Sequence, residues 1–393
     1  MDRRTDPYAP GAGTPPPELV GRDELIEDAE IALDRLRNGL AAKGLLMVGL
    51  RGVGKTVLLN RIFLDADGRG FECVLIEAPE DRSLPGALAG PLNSALVRMS
   101  RGAAAKEPAR RARRALAGFV GAMRLTFDDI AFSLDLEKEE GVADSGDLDT
   151  DLTVLLQVAG EAARARATAL VLFVDEMQYV EQRQLAALIR ALHRTAQLRL
   201  PVALVGSGLP QLVGHVGSAK SYAERMFSFP EVGPLAGDAA ARALEAPARR
   251  LGVRYTARAL DEILRLTEGY PYFLQEWGSA CWRVATGSKI AFADAEAATP
   301  VAVRELDSTF FRVRLERTTP FERRYLRAMA ELGPGPHRSG AVAAALGRPV
   351  QGVAPTRAKL VRKGMVYGPA HGDTAFTVPL FDQYLKRVMP RGR

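Results

Sequence analysis

GLRGVGKT, residues 49–56, lies between the apolar run LLMV at 45–48 and the helix-forming VLLNRIF at 57–63. It fits the pattern G-x-x-x-x-G-K-[ST] through Gly49, Gly54, Lys55 and Thr56, with Gly52 and Val53 inside the loop. At an average glycine frequency of about 7%, such a match arises by accident in roughly 1% of chains of this length. Its setting strengthens it, because the loop follows a predicted strand and opens a predicted helix. Glycines let successive backbone N–H groups turn into one concavity, and the helix N-terminus adds positive potential there. The ligand that fits is a phosphate chain. Lys55 would reach the β and γ phosphates, and Thr56 would ligate magnesium.

A phosphate loop of this kind needs a second source of carboxylate. ALVLFVDE at 169–176 supplies it, an apolar strand that ends in Asp175 and Glu176. Asp175 is placed to hold the magnesium hydration shell, and Glu176 to orient and activate an attacking water. A kinase acting on a small acceptor does not need that second acid, so the pair points to hydrolysis.

Two further apolar runs, ECVLIEAP at 72–79 and PVALVGSG at 201–208, alternate with amphipathic stretches such as EQRQLAALIRALHRTAQL at 181–198. Buried strands alternating with helices predict an α/β fold with a parallel sheet covered on both faces. Between the second and third strands lies an insertion at about 100–150. It holds a basic helical segment at 101–119, an alternating run at 124–140 that reads as a strand or hairpin, and an acidic, turn-rich stretch at 141–151. It fits a partner-contact loop as well as a surface elaboration.

From about 238 the pattern is helical, which predicts a small helical domain over 238–315. The segment 316–393 opens with Thr319-Pro320-Phe321-Glu322, a capping box with Pro at the first helical position. Three short helices and two extended runs joined by a Gly-Asp turn follow, the order of a winged helix. Residues 1–18, rich in Pro, Gly and Ala, read as a disordered tail without the apolar core of a secretory signal. No apolar run approaches the 18 or more residues of a membrane span, and a cytoplasmic location is expected.

Cys73 and Cys281 are the only cysteines, which excludes a disulfide framework, and four histidines show no metal-ligand spacing. The net charge of +6 is uneven. Residues 316–393 carry 14 Lys and Arg against 5 Asp and Glu, a net +9 that leaves the rest at −3. Such a basic segment is a footprint for a polyanion or simply a solvated face.

The order GRDEL, GLRGVGKT, LVLFVDE, VALVGSG resembles the AAA+ P-loop ATPases, in particular the branch similar to origin-recognition ATPases and the related STAND signalling ATPases. The resemblance covers about residues 19–393 and implies ATP, ADP and magnesium as ligands. It implies a nucleotide-binding domain over 19–237 with sheet order 5-1-4-3-2, a helical lid and a C-terminal winged helix. Val20, Gly21 and Arg22 match the segment beside the adenine, and Ser207 matches sensor 1 near the γ phosphate. Arg225 in SYAERMF matches an arginine finger acting on a neighbour, which implies a homo-oligomer; it also fits a plain surface arginine. Tyr270 and Pro271 match the turn that seats the lid against the adenine, whereas Tyr272, Phe273 and Trp277 read as lid core. No convincing sensor 2 arginine is present.

The third helix of the C-terminal module carries Arg357, Lys359, Arg362 and Lys363. If it enters a major groove, the ATPase is held on duplex DNA by phosphate contacts without strong sequence preference, with His371 on the wing. The alternative is a STAND-like nucleotide switch, whose winged helix binds a protein partner or folds back to inhibit. A small-molecule kinase would need an acceptor pocket and an Arg-rich lid, and nothing after 238 resembles one.

Overall fold

The four apolar runs become strands of one sheet, three of them buried along almost their whole length and the run at 72–77 exposing Leu75 and Glu77. The computed structural model describes residues 1–11, 13–78, 83–127, 129–130, 139–370 and 372–390. The chain divides into two units, Asp23–Gly49 with Lys55–Glu231, and Met1–Arg22 with Leu50–Gly54 and Val232–Arg393.

The first unit runs α1 (Asp23–Arg37), β1 (Gly44–Val48), α2 (Lys55–Gly68), β2 (Glu72–Glu77), α3 (Leu84–Met99), α4 (Lys106–Met123) and α5 (Leu148–Ala165). It continues with β3 (Leu170–Asp175), α6 (Gln182–Gln197), β4 (Val202–Gly208), α7 (Leu212–Ala219), α8 (Ala223–Met226) and β5 (Phe227–Ser228). The strands form a five-stranded sheet in the order β2-β3-β4-β1-β5, all pairs parallel. This is the predicted order 5-1-4-3-2. Every residue of β3 is buried, as expected of a central parallel strand with both faces covered. Helix α6 presents Leu185, Leu188, Ile189 and Leu192 to that core at helical spacing.

The basic segment of the insertion is helix α4. Its Ala112, Leu116, Phe119 and Met123 are buried in the sheet domain's core, so one face is structural. On its other side Arg111 and Arg114 pair with Glu139 at 3.2 and 3.6 Å. The alternating run at 124–140 falls largely on residues 128 and 131–138, outside the described residues. The acidic stretch at 141–151 is only half turn. Asp147 accepts from the Thr150 amide as N-cap of α5, and buried Asp151 accepts from the Ser145 and Gly146 amides. Carboxylates gather there because a helix N-terminus stabilises negative charge.

The second unit contains α9 (Gly237–Arg250), β6 (Arg254–Tyr255), α10 (Ala257–Thr267), α11 (Pro271–Val284), β7 (Lys289–Ile290), α12 (Phe292–Glu305) and α13 (Arg312–Glu316). A π-helical turn at Leu306–Phe311 joins the last two. Then come α14 (Pro320–Leu332), β8 (His337–Arg338), α15 (Ser339–Ala345), α16 (Val350–Arg362), β9 (Val366–Tyr367), β10 (Asp373–Phe376) and α17 (Phe381–Val388). Strands β8, β10 and β9 form a small antiparallel sheet in that order. Three helices and a hairpin thus follow one another as the sequence predicts, and the Thr319–Glu322 capping box closes in both directions at 2.7 and 3.3 Å. His371 is outside the described residues. Phe273 and Trp277 are buried lid core, and Phe311, Phe381 and Tyr384 stack where the lid helices meet the C-terminal module.

The amino-terminal segment departs from its reading as a disordered tail over its first residues. Tyr8 is buried, with its hydroxyl bonded to the Leu244 carbonyl (2.6 Å) and the Tyr255 hydroxyl (2.7 Å). Its ring occupies the space that a side chain at Gly278 would need. Ser279 donates to Asp6 at 2.6 Å, and the Trp282 indole donates to the Asp2 carbonyl at 2.9 Å. Proline-rich composition hid one aromatic anchor. No helix among the described residues is long and apolar enough to cross a membrane.

Truncating Tyr8 should unseat this segment. Tyr8→Ala is expected to destabilise the second unit by about 3–4 kcal/mol. Tyr8→Phe, which removes only the hydroxyl's bonds, is expected to lose about 1 kcal/mol. Chemical denaturation followed by tryptophan fluorescence, with Trp277 and Trp282 in the same helix, reads both; equal midpoints for Tyr8→Ala and the parent protein would contradict the anchoring.

Candidate nucleotide site

The phosphate loop leaves β1 at Val48 and enters α2 at Lys55. Gly52 (φ 83°) and Gly54 (φ 92°) lie in the left-handed region, which a side chain resists and glycine adopts freely. Around Gly54 the space is open, with nothing within 4 Å of where a Cβ would sit. Lys55 is 7% exposed at the first position of α2, and Thr56 follows it.

Within the sheet unit, Thr56 Oγ1 donates to Asp175 Oδ2 at 2.6 Å. Asp175 ends β3 and is itself 7% exposed. Its other oxygen, Oδ1, accepts from the Glu176 amide at 2.8 Å and from the Ser207 hydroxyl. The family resemblance implies that Ser207 lies near a γ phosphate; its hydroxyl donates to Asp175 and the residue is completely buried. Glu176 has φ 51° and ψ 37°, a left-handed conformation that is uncommon for a residue with a side chain. Such strain, about 1–3 kcal/mol, concentrates at functional sites. Sequence reasoning missed Gln178, which donates to the Glu176 carboxylate and accepts from the Leu209 amide at 2.9 Å. Its only signal was position, two residues after the acid.

Two hard oxygens side by side, Thr56 Oγ1 and Asp175 Oδ2, with buried Lys55 preceding Thr56 in the chain, could hold a magnesium ion and the phosphates it carries. Three donors, the Thr56 and Ser207 hydroxyls and the Glu176 amide, fix the orientation of the Asp175 carboxylate.

In the second unit, three of the segments singled out from the sequence meet. Gly21 (φ 68°) turns the chain into Arg22, whose guanidinium donates to the carbonyls of Val53, at 3.4 Å, and Gly233. Burial pulls the Arg22 pKa below its ordinary value. Val20, half-buried, precedes that turn. Tyr270 caps α11 and Pro271 opens it. The next amide, Tyr272 N–H, donates to the Gly52 carbonyl at 3.3 Å, and the Tyr270 ring lies about 3.7 Å from where a Gly52 Cβ would stand. Burial drives the Tyr270 phenol well above its ordinary pKa, and its buried hydroxyl has no hydrogen-bond partner among the described residues. Tyr272 stacks on Phe310 at 4.7 Å.

Residues 18–205 match the AAA ATPase domain family. They form an AAA ATPase domain. The C-terminal residues 308–385 match a second family, a domain of unknown function. No curated protein sequence matches the chain. Among solved structures, the chain is similar to a Walker-type ATPase of Pyrococcus abyssi, at 17% identity and TM-score 0.55 over 94% of this chain and 96% of that one. The Aeropyrum pernix ORC1 protein in complex with DNA aligns at 14% identity and TM-score 0.49 over 95% and 94%. Cdc6p from Pyrobaculum aerophilum aligns at 16% identity and TM-score 0.46 over 99% and 98%. At such identity the Pyrococcus ATPase indicates shared fold. The description of a nucleotide-binding ATPase, in general terms, thus attaches to residues 18–205.

The basic residues assigned to nucleic acid divide into two kinds. Lys359 and Arg362 on α16 are exposed. Arg357 instead clamps β10, donating to the Thr374 hydroxyl (2.6 Å) and the Asp373 carbonyl (2.7 Å). Lys363 donates to the Arg317 carbonyl (2.8 Å) and pairs with Glu322 at 2.7 Å. Two of the four are thus internal braces, because a buried capping-box carboxylate and a strand end each need a cation nearby. Arg225 is exposed at the end of α8.

Burial alone would raise the Glu322 carboxyl, but the bonds from Lys363 and the Thr319 amide outweigh it and hold the group below its ordinary pKa. A depressed carboxyl stabilises the fold above the ordinary range of about 4.3 and loses that contribution as pH falls through the folded value. Lys363→Ala is therefore expected to lose about 1–3 kcal/mol at neutral pH, with the deficit shrinking on acidification, while Lys359→Ala stays within about 0.5 kcal/mol. Urea midpoints at pH 7 and pH 4 measure this; equal midpoints for the two variants at pH 7 would contradict the internal role of Lys363.

Proposed function

We propose that this chain is a magnesium-dependent ATPase whose C-terminal module, of winged-helix type, governs the phosphate loop as a nucleotide-controlled switch. The observation that carries the hydrolytic part is the Thr56–Asp175 hydrogen bond beside buried Lys55. In this reading Lys55 binds the β and γ phosphates, and Thr56 with Asp175 holds magnesium. When bound, that ion neutralises charge on the phosphate oxygens and offsets the charge that develops on transfer. Glu176 orients a water and takes its proton. Ser207 keeps the Asp175 carboxylate in place, and exposed Arg225 is available to a neighbouring copy, so that hydrolysis is fastest in a homo-oligomer. Gly49, Gly52, Val53 and Gly54 supply the loop's amides; Val20, Gly21, Arg22, Tyr270 and Pro271 border the adenine. A cytoplasmic location belongs to the same proposal.

The switch is favoured by what Arg51 does. Its amide donates to the Thr377 carbonyl at 3.2 Å, and its guanidinium reaches the Gly364 carbonyl at 3.4 Å. Thr377 in turn donates to the Gly364 carbonyl at 2.7 Å. A phosphate loop works through its backbone donors, so a loop amide bonded to the C-terminal module is one that a phosphate would have to compete for. A module that binds the loop in one nucleotide state and releases it in another has the differential contact a switch requires.

Duplex DNA is the second reading, supported by exposed Lys359 and Arg362 in a segment of net +9. DNA held by phosphate contacts alone weakens steeply with salt.

Steady-state ATP hydrolysis separates the two. Glu176→Gln is expected to lower kcat more than about 100-fold with nucleotide still bound. Arg51→Ala, which removes the side-chain bond to Gly364 and so weakens the hold on the loop while keeping the amide's bond to Thr377, is expected to raise the basal rate severalfold without DNA. An unchanged Arg51→Ala rate together with salt-sensitive stimulation by duplex DNA would reject the switch in favour of the DNA reading.

A further inference from the structure

The turn Glu176-Met177-Gln178-Tyr179 sits over the carboxyl end of β4, and the Gly206-Ser207-Gly208 sequence of that strand is shaped to receive it. A side chain at Gly206 would collide with Met177 Sδ. At Gly208 an added Cβ would stand 2.9 Å from Gln178 Oε1 and 2.8 Å from Leu212 Cδ2. Ser207, between them, donates to Asp175. The Gln178 carboxamide uses both its ends, its NH2 group donating to Glu176 Oε2 and its oxygen accepting from the Leu209 amide at 2.9 Å. The Glu176 carboxylate is therefore tied through one side chain to the backbone that follows β4, while its own backbone is held in a strained left-handed turn.

We infer that Gln178 is a positioning residue for hydrolysis, fixing the Glu176 carboxylate to the end of β4 through the bridge to the Leu209 amide, with Gly208 kept bare to admit it. The inference rests on the ATPase reading of Glu176. A proton acceptor contributes only when its oxygen lies within hydrogen-bond reach of the water, and an error of about 1 Å lowers the rate roughly 100-fold. Glutamine suits the task because it donates to the carboxylate and accepts from an amide at once. Methionine matches its length and does neither.

The test is ATP turnover by the full chain carrying Gln178→Met, Gly208→Ala or both, with binding of a fluorescent ATP analogue measured in parallel. The expected result for Gln178→Met is a kcat lowered about tenfold to hundredfold with KM and analogue affinity within about twofold. Gly208→Ala should reproduce the defect by displacing the carboxamide, and the double variant should be no worse than the more impaired single, since both remove one interaction. A Gln178→Met kcat equal to the parent's overturns the inference while leaving the ATPase reading intact. So does a parallel loss of kcat and analogue affinity, which marks a merely structural role, or strictly multiplicative defects. Absence of Glu176-dependent turnover in the parent chain overturns both.

Discussion

The Thr56–Asp175 hydrogen bond joins the first turn of α2 to the end of β3, and the rest of the site depends on it. The sheet order makes that bond a consequence of topology. Strand β4 lies between β1 and β3, so whatever ends β4 lies between the ends of those two strands. Ser207 occupies that place and turns its hydroxyl to Asp175. A ligand at the carboxyl ends of a parallel sheet, where strand order reverses, is the common arrangement of such folds.

Packing against this end is close enough to dictate residue types that chemistry alone would not. Met177 fills the space above Gly206, and Gln178 the space above Gly208. The glycines flanking Ser207 are thus cavities shaped for the turn that carries Glu176. Because protein interiors have little spare volume, a shift at the end of β4 is passed to Glu176 directly. In the other unit, the carbonyls of Gly52 and Val53 and the amide of Arg51 are bonded to the lid turn, to Arg22 and to Thr377. The same short loop therefore commits two carbonyls and one amide to bonds with its own chain.

Much of this was legible in the sequence because it rests on local pattern. The loop, the acid pair and four apolar runs fix the sheet and its reactive edge, since parallel strands must be apolar and phosphate loops must be glycine-rich. The capping box at Thr319 was equally legible, as cap chemistry spans only four residues. What escaped required contacts distant in sequence. Tyr8 looked like part of a Pro-rich tail, and its anchoring depends on a glycine 270 residues away. Arg357 and Lys363 read as free cations because nothing local announces Thr374 or Glu322 as their partners. Gln178 was overlooked for the same reason, since its second partner is the amide of Leu209.

Calorimetric titration of the purified chain with ATP, with and without magnesium, and of Lys55→Ala and Asp175→Asn alongside, measures whether Lys55, Thr56 and Asp175 act as one site. One nucleotide per chain is expected, with affinity that rises with magnesium in the parent, loss of binding in Lys55→Ala, and loss of the magnesium dependence in Asp175→Asn. Binding that survives Lys55→Ala, or that ignores magnesium in the parent, would contradict the assignment of Lys55, Thr56 and Asp175 to one site.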